Sequence, residues 1–485
     1  MGGSVLARLV IVSNRVASPK ERGAKAGGLA VALRETLNKR GGVWFGWSGE
    51  TQVDPPSEPK VFRSGKVTYA LQTLDPEDQR DHYAGYANGT LWPLCHYRLG
   101  LLNFRRTEWE GYRRVNATFA RALMPLLKPD DIVWVHDYHF IPLASELRAL
   151  GFEGRIGYFH HIPWPTPEVF LTLPSHAALV RDLSRYDLVG LQTEHDVRAL
   201  LTYVSSEARG WIAPGGVVGL RDRRFRVATY PIGIDADAFV RDAQAAAGSE
   251  DEERLKASLA GRALAVGVDR LDYSKGLPNK FAAFGELLKS HPERRSTVTM
   301  MQIAPLSRSE VTEYQALRRE LEELAGSING EYAEFDWVPL RYLNRPFQRA
   351  TLAAIYRTAR LGVVTPLRDG MNLVAKEYVA AQNPEDPGVL VLSRFAGAAD
   401  ELSGALIVNP YDVEGMADTL DMALSMPLDE RRDRWRTNMD KVSRNTIHRW
   451  CETFLHDLSG VDGYGAGVEP SPSASPPPKT ARGRR

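Results

Sequence analysis

Short aliphatic runs, apolar at every position rather than at alternate ones, recur along this chain, each followed by a helical stretch. LVIVS (Leu9–Ser13), DIVWVH (Asp131–His136), RIGYFHH (Arg155–His161) and DLVGLQ (Asp187–Gln192) form a first set. ALAVGV (Ala263–Val268), TVTMMQI (Thr297–Ile303), LGVVTP (Leu361–Pro366) and GVLVLS (Gly388–Ser393) form a second. A strand without alternation has to be covered on both faces. In a chain that alternates strand and helix, that means parallel sheets in βαβ units. Helices are predicted over 28–39, near 141–150 and near 194–205. The rhythm breaks at PIGID (Pro231–Asp235) and then resumes. Single cores stop growing near ~250–300 residues, so the 485-residue chain reads as α/β in two halves, residues 1–232 and 233–447. A last helix, 448–460, apolar on one face, is expected to pack back on the first half. Residues 463–485, rich in Gly, Pro, Ser and Arg without aliphatic periodicity, are expected to form a disordered basic tail.

Charge removes one class of partner. Sixty-one basic against sixty acidic side chains leave a formal charge of +1, without the basic excess that nucleic-acid binding needs. Cys95 and Cys451 cannot make a disulfide framework and are expected to be reduced thiols. No apolar run approaches the roughly 18 residues that span a bilayer, and Arg8 interrupts the N-terminal apolar stretch, so no signal peptide is predicted. A soluble, cytoplasmic protein with neither nucleic acid nor membrane as partner is expected. No G-x-G-x-x-G follows a strand, and no P-loop, G-x-S-x-G elbow or H-E-x-x-H occurs. His136 and His139 lack the further ligands of a zinc site, so no metal is predicted.

Open α/β sheets bind ligands outside the carboxyl ends of their strands, which directs attention to residues just past each run. In VDRLDYSKG, Arg270 and Lys275 suit a diphosphate, one as a bidentate fork and one as a point charge. A solvated surface pair is the plain alternative. In TPLRDGMNLVAKEYVAAQ a helix starts near Asn372, and the free N–H groups of Leu373 and Val374 can hold phosphate oxygen. Glu377, one turn on, can accept from ribose hydroxyls, and Asp369, in a strained turn, can grip sugar hydroxyls. Gly27 and Gly28 open a helix where backbone can approach a ligand, with an ordinary loop-to-helix turn as the plain alternative. In the first half Arg15, Asp137 and His161 follow three strands. A helix cap is the plain alternative for Asp137, and a core histidine for His161. Trp47, Tyr83 and Trp92, in stretches that read as loops, suit sugar stacking, with a place in the core as the plain alternative.

VSNR, the GGL helix start, WFGWSGE, LWPLCHYR, VNATFA, VHDYH, HIPWPTPE, YPIGID, RLDYSKGLP, TPLRDGMNLVAKEYVAAQ and FAGAADEL occur in one order. Through them the chain resembles the trehalose-6-phosphate synthase family over about residues 8–458. The resemblance implies two Rossmann-like domains (the GT-B architecture) with the active site in the interdomain cleft. The first would hold the acceptor, glucose 6-phosphate, and the second a nucleotide-glucose donor, UDP-glucose or ADP-glucose. Glucose would be transferred with retention, giving α,α-trehalose 6-phosphate and nucleoside diphosphate.

Residue by residue, it implies that Arg270 and Lys275 meet the diphosphate and that Asp369 and His161 contact the transferred glucose. Gly27, Gly28, Phe347, Leu373, Val374 and Glu377 would bind the donor, and Arg15, Trp47, Tyr83, Trp92, Asp137 and Arg308 the acceptor. With cations and amides facing the diphosphate, no metal and no cofactor is expected. A homo-oligomer, dimer or tetramer, is expected, and no phosphatase domain follows, so dephosphorylation would fall to another protein. His160 and Trp164 depart from the common pattern, and Arg209–Arg224 is not recognisable. The alternatives are a nucleotide-sugar epimerase or sugar phosphorylase of the same architecture, or an inactive regulatory subunit.

Overall fold

The computed structural model describes residues 7–16, 28–306 and 312–460. Gly27, Arg308 and the expected tail at 463–485 lie outside these residues. Two sheets organise the rest. The first has ten strands: β1 (Leu9–Arg15), β2 (Gly42–Thr51), β3 (Lys60–Ser64), β4 (Val67–Leu74), β5 (Ile132–His136), β6 (Arg155–Phe159), β7 (Leu188–Leu191), β8 (Trp211–Ala213), β9 (Val217–Leu220) and β10 (Arg223–Thr229). Their spatial order is β3-β4-β2-β1-β5-β6-β7-β10-β9-β8, parallel from β4 to β10 and antiparallel at both edges. The second sheet contains β11 (Ala263–Val268), β12 (Val298–Ile303), β13 (Leu340–Leu343), β14 (Leu361–Val364), β15 (Val389–Ser393) and β16 (Leu406–Val408). It is parallel throughout, in the order β13-β12-β11-β14-β15-β16. Four helices matter below: α1 (Gly28–Arg40), α2 (Glu194–Ser206), α3 (Leu373–Ala381) and α4 (Ile447–Gly460).

The continuous apolar character of β1 has a direct reason. Val10 and Val12 point into one core with Phe45, Phe119 and Phe140, whereas Leu9 and Ile11 point into another with Leu37, Trp44, Trp134 and Phe454. Both faces are covered over residues 9–12, so none of these four positions is polar. Helix α4 supplies part of the second cover. Its Phe454 stacks on Trp134 at 4.7 Å and meets Phe159 edge-on at 5.9 Å. Gly157 and Gly190 lie beneath it, where a Cβ would come within 2.8 Å of the Phe454 ring.

The chain crosses between the sheets twice, at 231–235 going out and 445–447 returning. The passes are bound together: Ile234 bridges Thr446, and Ile447 donates its N–H to Ile234 O at 3.1 Å. Buried Lys376 donates to Ile232 O at 2.8 Å and pairs with Glu401, which also accepts from Asn445. At Gly233 any side chain would collide with the returning strand, its Cβ 1.8 Å from Asn445 O.

Three local readings need correction. Trp47 lies in β2, and Tyr83 and Trp92 lie in a π-helical segment (Gln79–Leu91) and the short helix that follows it (Trp92–Cys95), not in loops. Their glycines and proline resemble loop punctuation, yet Pro93 sits in the first turn, where its missing N–H is harmless. The unrecognised Arg209–Arg224 stretch forms most of the edge meander β8-β9-β10. The strained backbone near Asp369 belongs to Asn372 (φ 76°), while Asp369 itself bridges Ala396 as extended chain. No helix among the described residues is long and apolar enough to cross a membrane.

Candidate active site

Each sheet reverses direction once about its first strand. The chain leaves β1 toward β2 on one side and β5 on the other, and leaves β11 toward β12 and β14. A crevice opens at the carboxyl ends on either side of such a reversal. The two crevices face each other. The Gly370 backbone in the second half packs on the His161 carbonyl of the first, with room for no Cβ (2.1 Å). Arg270, just past β11, lies over the Trp92 ring at 5.5 Å.

On the first-domain lip, His136 Nδ1 and His161 Nε2 are 3.1 Å apart. His136 Nε2 is buried without a partner. A buried orphan N–H is rarer than an unfilled acceptor, which assigns the His136 proton to Nδ1. That hydrogen bond makes His161 Nε2 the acceptor and leaves the His161 proton on Nδ1. Burial holds His136 down to about 3, and burial together with the neighbouring imidazoles holds His161 well below its ordinary value. The pair is neutral. Asp137 takes a positive φ of 75° and accepts the His161 N–H at 3.2 Å, without capping the turn it precedes. Next to it, Arg15 lies over Trp47 at 5.2 Å, Trp47 meets Tyr83 at 5.4 Å, and Tyr83 stacks on His139 at 5.8 Å. The departures His160 and Trp164 pack edge-on at 5.2 Å, both buried.

The second-domain lip is charged. Lys275 pairs with Asp369, and Asn372 Nδ2 donates to the same carboxylate at 3.1 Å. Because Asn372 is spent on Asp369, its side chain does not cap α3, and the first amides of that helix keep no side-chain acceptor. Behind Arg270, Asp269 is buried with Lys280 at 2.7 Å and Gln302 at 3.3 Å. Burial pushes Glu377 up to about 7, with Arg349 pulling the other way.

Small-ligand sites commonly measure about 300–1,000 Å³; the cavity here measures about 430 Å³ and is lined from both domains. It brings together Asp137, His161, Arg270, Lys275, Asp369, Leu373, Val374 and Glu377. It does not include Arg15, Trp47 and Tyr83, which form the adjoining group, or Trp92, which lies under Arg270. Phe347 is also outside it, half-buried with Arg345 over its ring at 4.8 Å. Gly28 is the first residue of α1. Gln192 and Asn372 line the cavity without having been singled out. Gln192 ends the run DLVGLQ, so the strand-end rule alone points to it. Two groups among the described residues have metal-ligand spacing, Glu35/Asp235/His448 and His291/Glu293/Asp421, and neither lines this cavity.

A family model described as glycosyltransferase family 20 matches residues 7–460. The trehalose-6-phosphate synthase of Sinorhizobium fredii (strain NBRC 101917 / NGR234) is 51% identical over 457 residues, covering 94% of this chain and 98% of its own. Among solved structures, an alpha,alpha-trehalose-phosphate synthase (UDP-forming) from Burkholderia xenovorans in complex with glucose-6-phosphate is 49% identical. It superimposes with a TM-score of 0.90, covering 94% of this chain and 100% of its own. The E. coli relative bound with UDP-2-fluoro glucose is 48% identical with a TM-score of 0.90, covering 94% and 99%.

Proposed function

The chain belongs to glycosyltransferase family 20, and from that premise we propose that its cleft transfers glucose from UDP-glucose to glucose 6-phosphate, yielding α,α-trehalose 6-phosphate and UDP. The observation that carries this reading is the cavity between the two sets of strand ends, with a neutral imidazole pair beside Asp137 on one lip and cations with helix-start amides on the other. UDP rather than ADP is favoured because the similar solved enzyme is UDP-forming.

In this reading Arg270, Lys275 and the amides of Leu373 and Val374 receive the diphosphate, and Glu377 accepts from the ribose hydroxyls. The amine of Lys275 has three donors, so it can keep Asp369 while meeting phosphate. Asp369 and His161 hold the transferred glucose, Gly28 closes over the donor, and Phe347 lines the nucleoside end. Arg15, Trp47, Tyr83, Trp92 and Asp137 hold the acceptor, with Arg308 as a further phosphate contact. As the bond from the anomeric carbon to the diphosphate breaks, negative charge grows on the departing oxygen. Groups already aimed there stabilise the transition state more than the ground state. The acceptor hydroxyl forms the new bond on the same face, and its proton passes to the leaving phosphate oxygen. Asp369 is held by Lys275 and Asn372, and Glu377 lies a helical turn past the anion-holding amides, so neither is placed as a nucleophile. A glucosyl adduct trapped on a side chain and seen by mass spectrometry would overturn the same-face step.

The decisive assay measures nucleotide release from UDP-glucose and ADP-glucose with and without glucose 6-phosphate. Release dependent on the acceptor, faster with UDP-glucose, is expected. A changed nucleotide-sugar with no nucleotide released would indicate an epimerase, a requirement for inorganic phosphate a phosphorylase, and no turnover a regulatory subunit. A cytoplasmic setting agrees with two buried, unpaired thiols, Cys95 and Cys451, the second pushed up by burial to about 12.

A further inference from the structure

A second cavity, of about 350 Å³, lies at the domain junction and shares only Asp369 with the substrate cavity. Three arginines line it from both sides of that junction. Arg198 comes from α2 in the first domain, and Arg368 and Arg394 follow β14 and β15 in the second. The guanidinium groups of Arg198 and Arg394 are exposed and make no side-chain hydrogen bond or ion pair among the described residues. Arg368 lies over the Tyr97 ring at 3.9 Å, and its Nε is buried without a hydrogen-bond partner.

Elsewhere on this protein arginines find carboxylates, as in Arg8–Asp131 and Arg113–Asp182. Here two of the four lining acids are engaged with other groups. Asp196 accepts from the Trp164 N–H at 2.9 Å and the Thr193 hydroxyl at 2.6 Å, and Asp369 is held by Lys275 and Asn372. Glu194 and Asp400 remain against three guanidinium groups. Convergent arginines without carboxylate partners are what phosphate recognition requires, because the planar fork meets phosphate oxygens in pairs.

We propose that this cavity is a second anion site, which takes a phosphorylated small molecule through Arg198, Arg368 and Arg394. Because these side chains come from both domains, a phosphate bound there ties one domain to the other. Asp369, which holds Lys275, lines both cavities, so binding here and binding of the donor are coupled, and reciprocally.

Pyrophosphate serves as the probe, titrated calorimetrically into the full-length wild type, into Arg270→Ala, and into the double variant Arg198→Ser/Arg394→Ser. Two sites are expected in the wild type. Arg270→Ala should lose one and keep the other, and the double variant should do the reverse, its affected site weakened by at least about tenfold. Both altered arginines are exposed, so the double variant should keep the wild-type melting temperature and its turnover without added pyrophosphate. A single wild-type site that disappears in Arg270→Ala, or a double variant with the wild-type isotherm, overturns the proposal. Neither result depends on which sugar the substrate cavity transfers.

Discussion

The two lips of the cleft are built in opposite electrostatic ways. On the first domain the central imidazoles are neutral and fixed: His136 and His161 share one proton between facing nitrogens, beside an Asp137 carboxylate tied to the His161 backbone. On the second domain they are charged and compensated: Lys275 sits on Asp369, and Arg270 reaches over to the Trp92 ring. A neutral, buried imidazole pair orients a ligand without changing its own charge during the reaction. A charged lip can respond to charge that develops. Losses on the second lip should therefore appear in kcat, and losses on the first in the binding or orientation of one substrate.

The sharpest way to break this contrast is Arg270→Ala. Removing a donor aimed at developing negative charge commonly costs about 10²–10³ in kcat, and that loss is expected here at saturating donor and acceptor. An unchanged kcat would remove Arg270 from the transition state. On the opposite lip, Arg15→Ala is expected to raise the KM for glucose 6-phosphate by about 10- to 100-fold, as a charged fork to phosphate is lost. The donor KM should hardly move. Equal shifts in both would erase the division of labour between the lips.

A smaller effect tests the neutral pair from within. His136→Leu removes the donor to His161 Nε2 and frees that nitrogen to take the ring proton, turning the other one into an acceptor. A loss of about tenfold in kcat/KM for the donor is expected, the scale of one misplaced hydrogen bond. His136→Asn can restore an N–H near the same place and should recover part of it. The discriminating measurement is the ¹⁵N signature of His161, which should report an Nδ1–H tautomer in the wild type and in His136→Asn but not in His136→Leu.

How much of this was legible in the sequence varies with the physics of each element. Strands β1, β5, β6, β7, β11, β12, β14 and β15 are covered on both faces, so their residue types announce them. Strand β2 escaped because Gly46 and Gly49 read as loop signals. Both are demanded by tertiary contacts: a Cβ at Gly46 would lie 2.0 Å from Ser13 O, and Gly49 has φ 87° against the Arg15 guanidinium. Strands β8 and β9 are apolar, but they are only three and four residues long and are broken by Pro214, Gly215 and Gly216, so neither makes a run long enough to announce a strand. At the site, the strand-end rule located Arg270, Asp137 and His161, yet the support behind them is tertiary. That His136 orients His161, and that Asn372 leaves α3 uncapped to hold Asp369, depend on distances that no linear pattern contains.

The smallest expected effect separates the lips by pH. Burial raises Glu377 from 4.5 to about 7, while His136 and His161 are held far below that value. Between pH 6 and 8 the first lip therefore keeps its charge while Glu377 goes from mostly protonated to mostly ionised. Only the carboxylate can accept from two ribose hydroxyls at once, so kcat/KM for the donor, which reports the free enzyme, should rise several-fold across that interval. About tenfold is the ceiling for one group titrating at its midpoint. Glu377→Gln should give a flat, low profile. Stability should move the other way. The folded state binds this proton more tightly than the unfolded chain, so the contribution of Glu377 declines as pH rises from 4.5 to about 7 and is level above it. Glu377→Gln should abolish that slope in urea titrations. A donor profile that still rises in Glu377→Gln would place the titrating group elsewhere, and with it the ribose end of the donor.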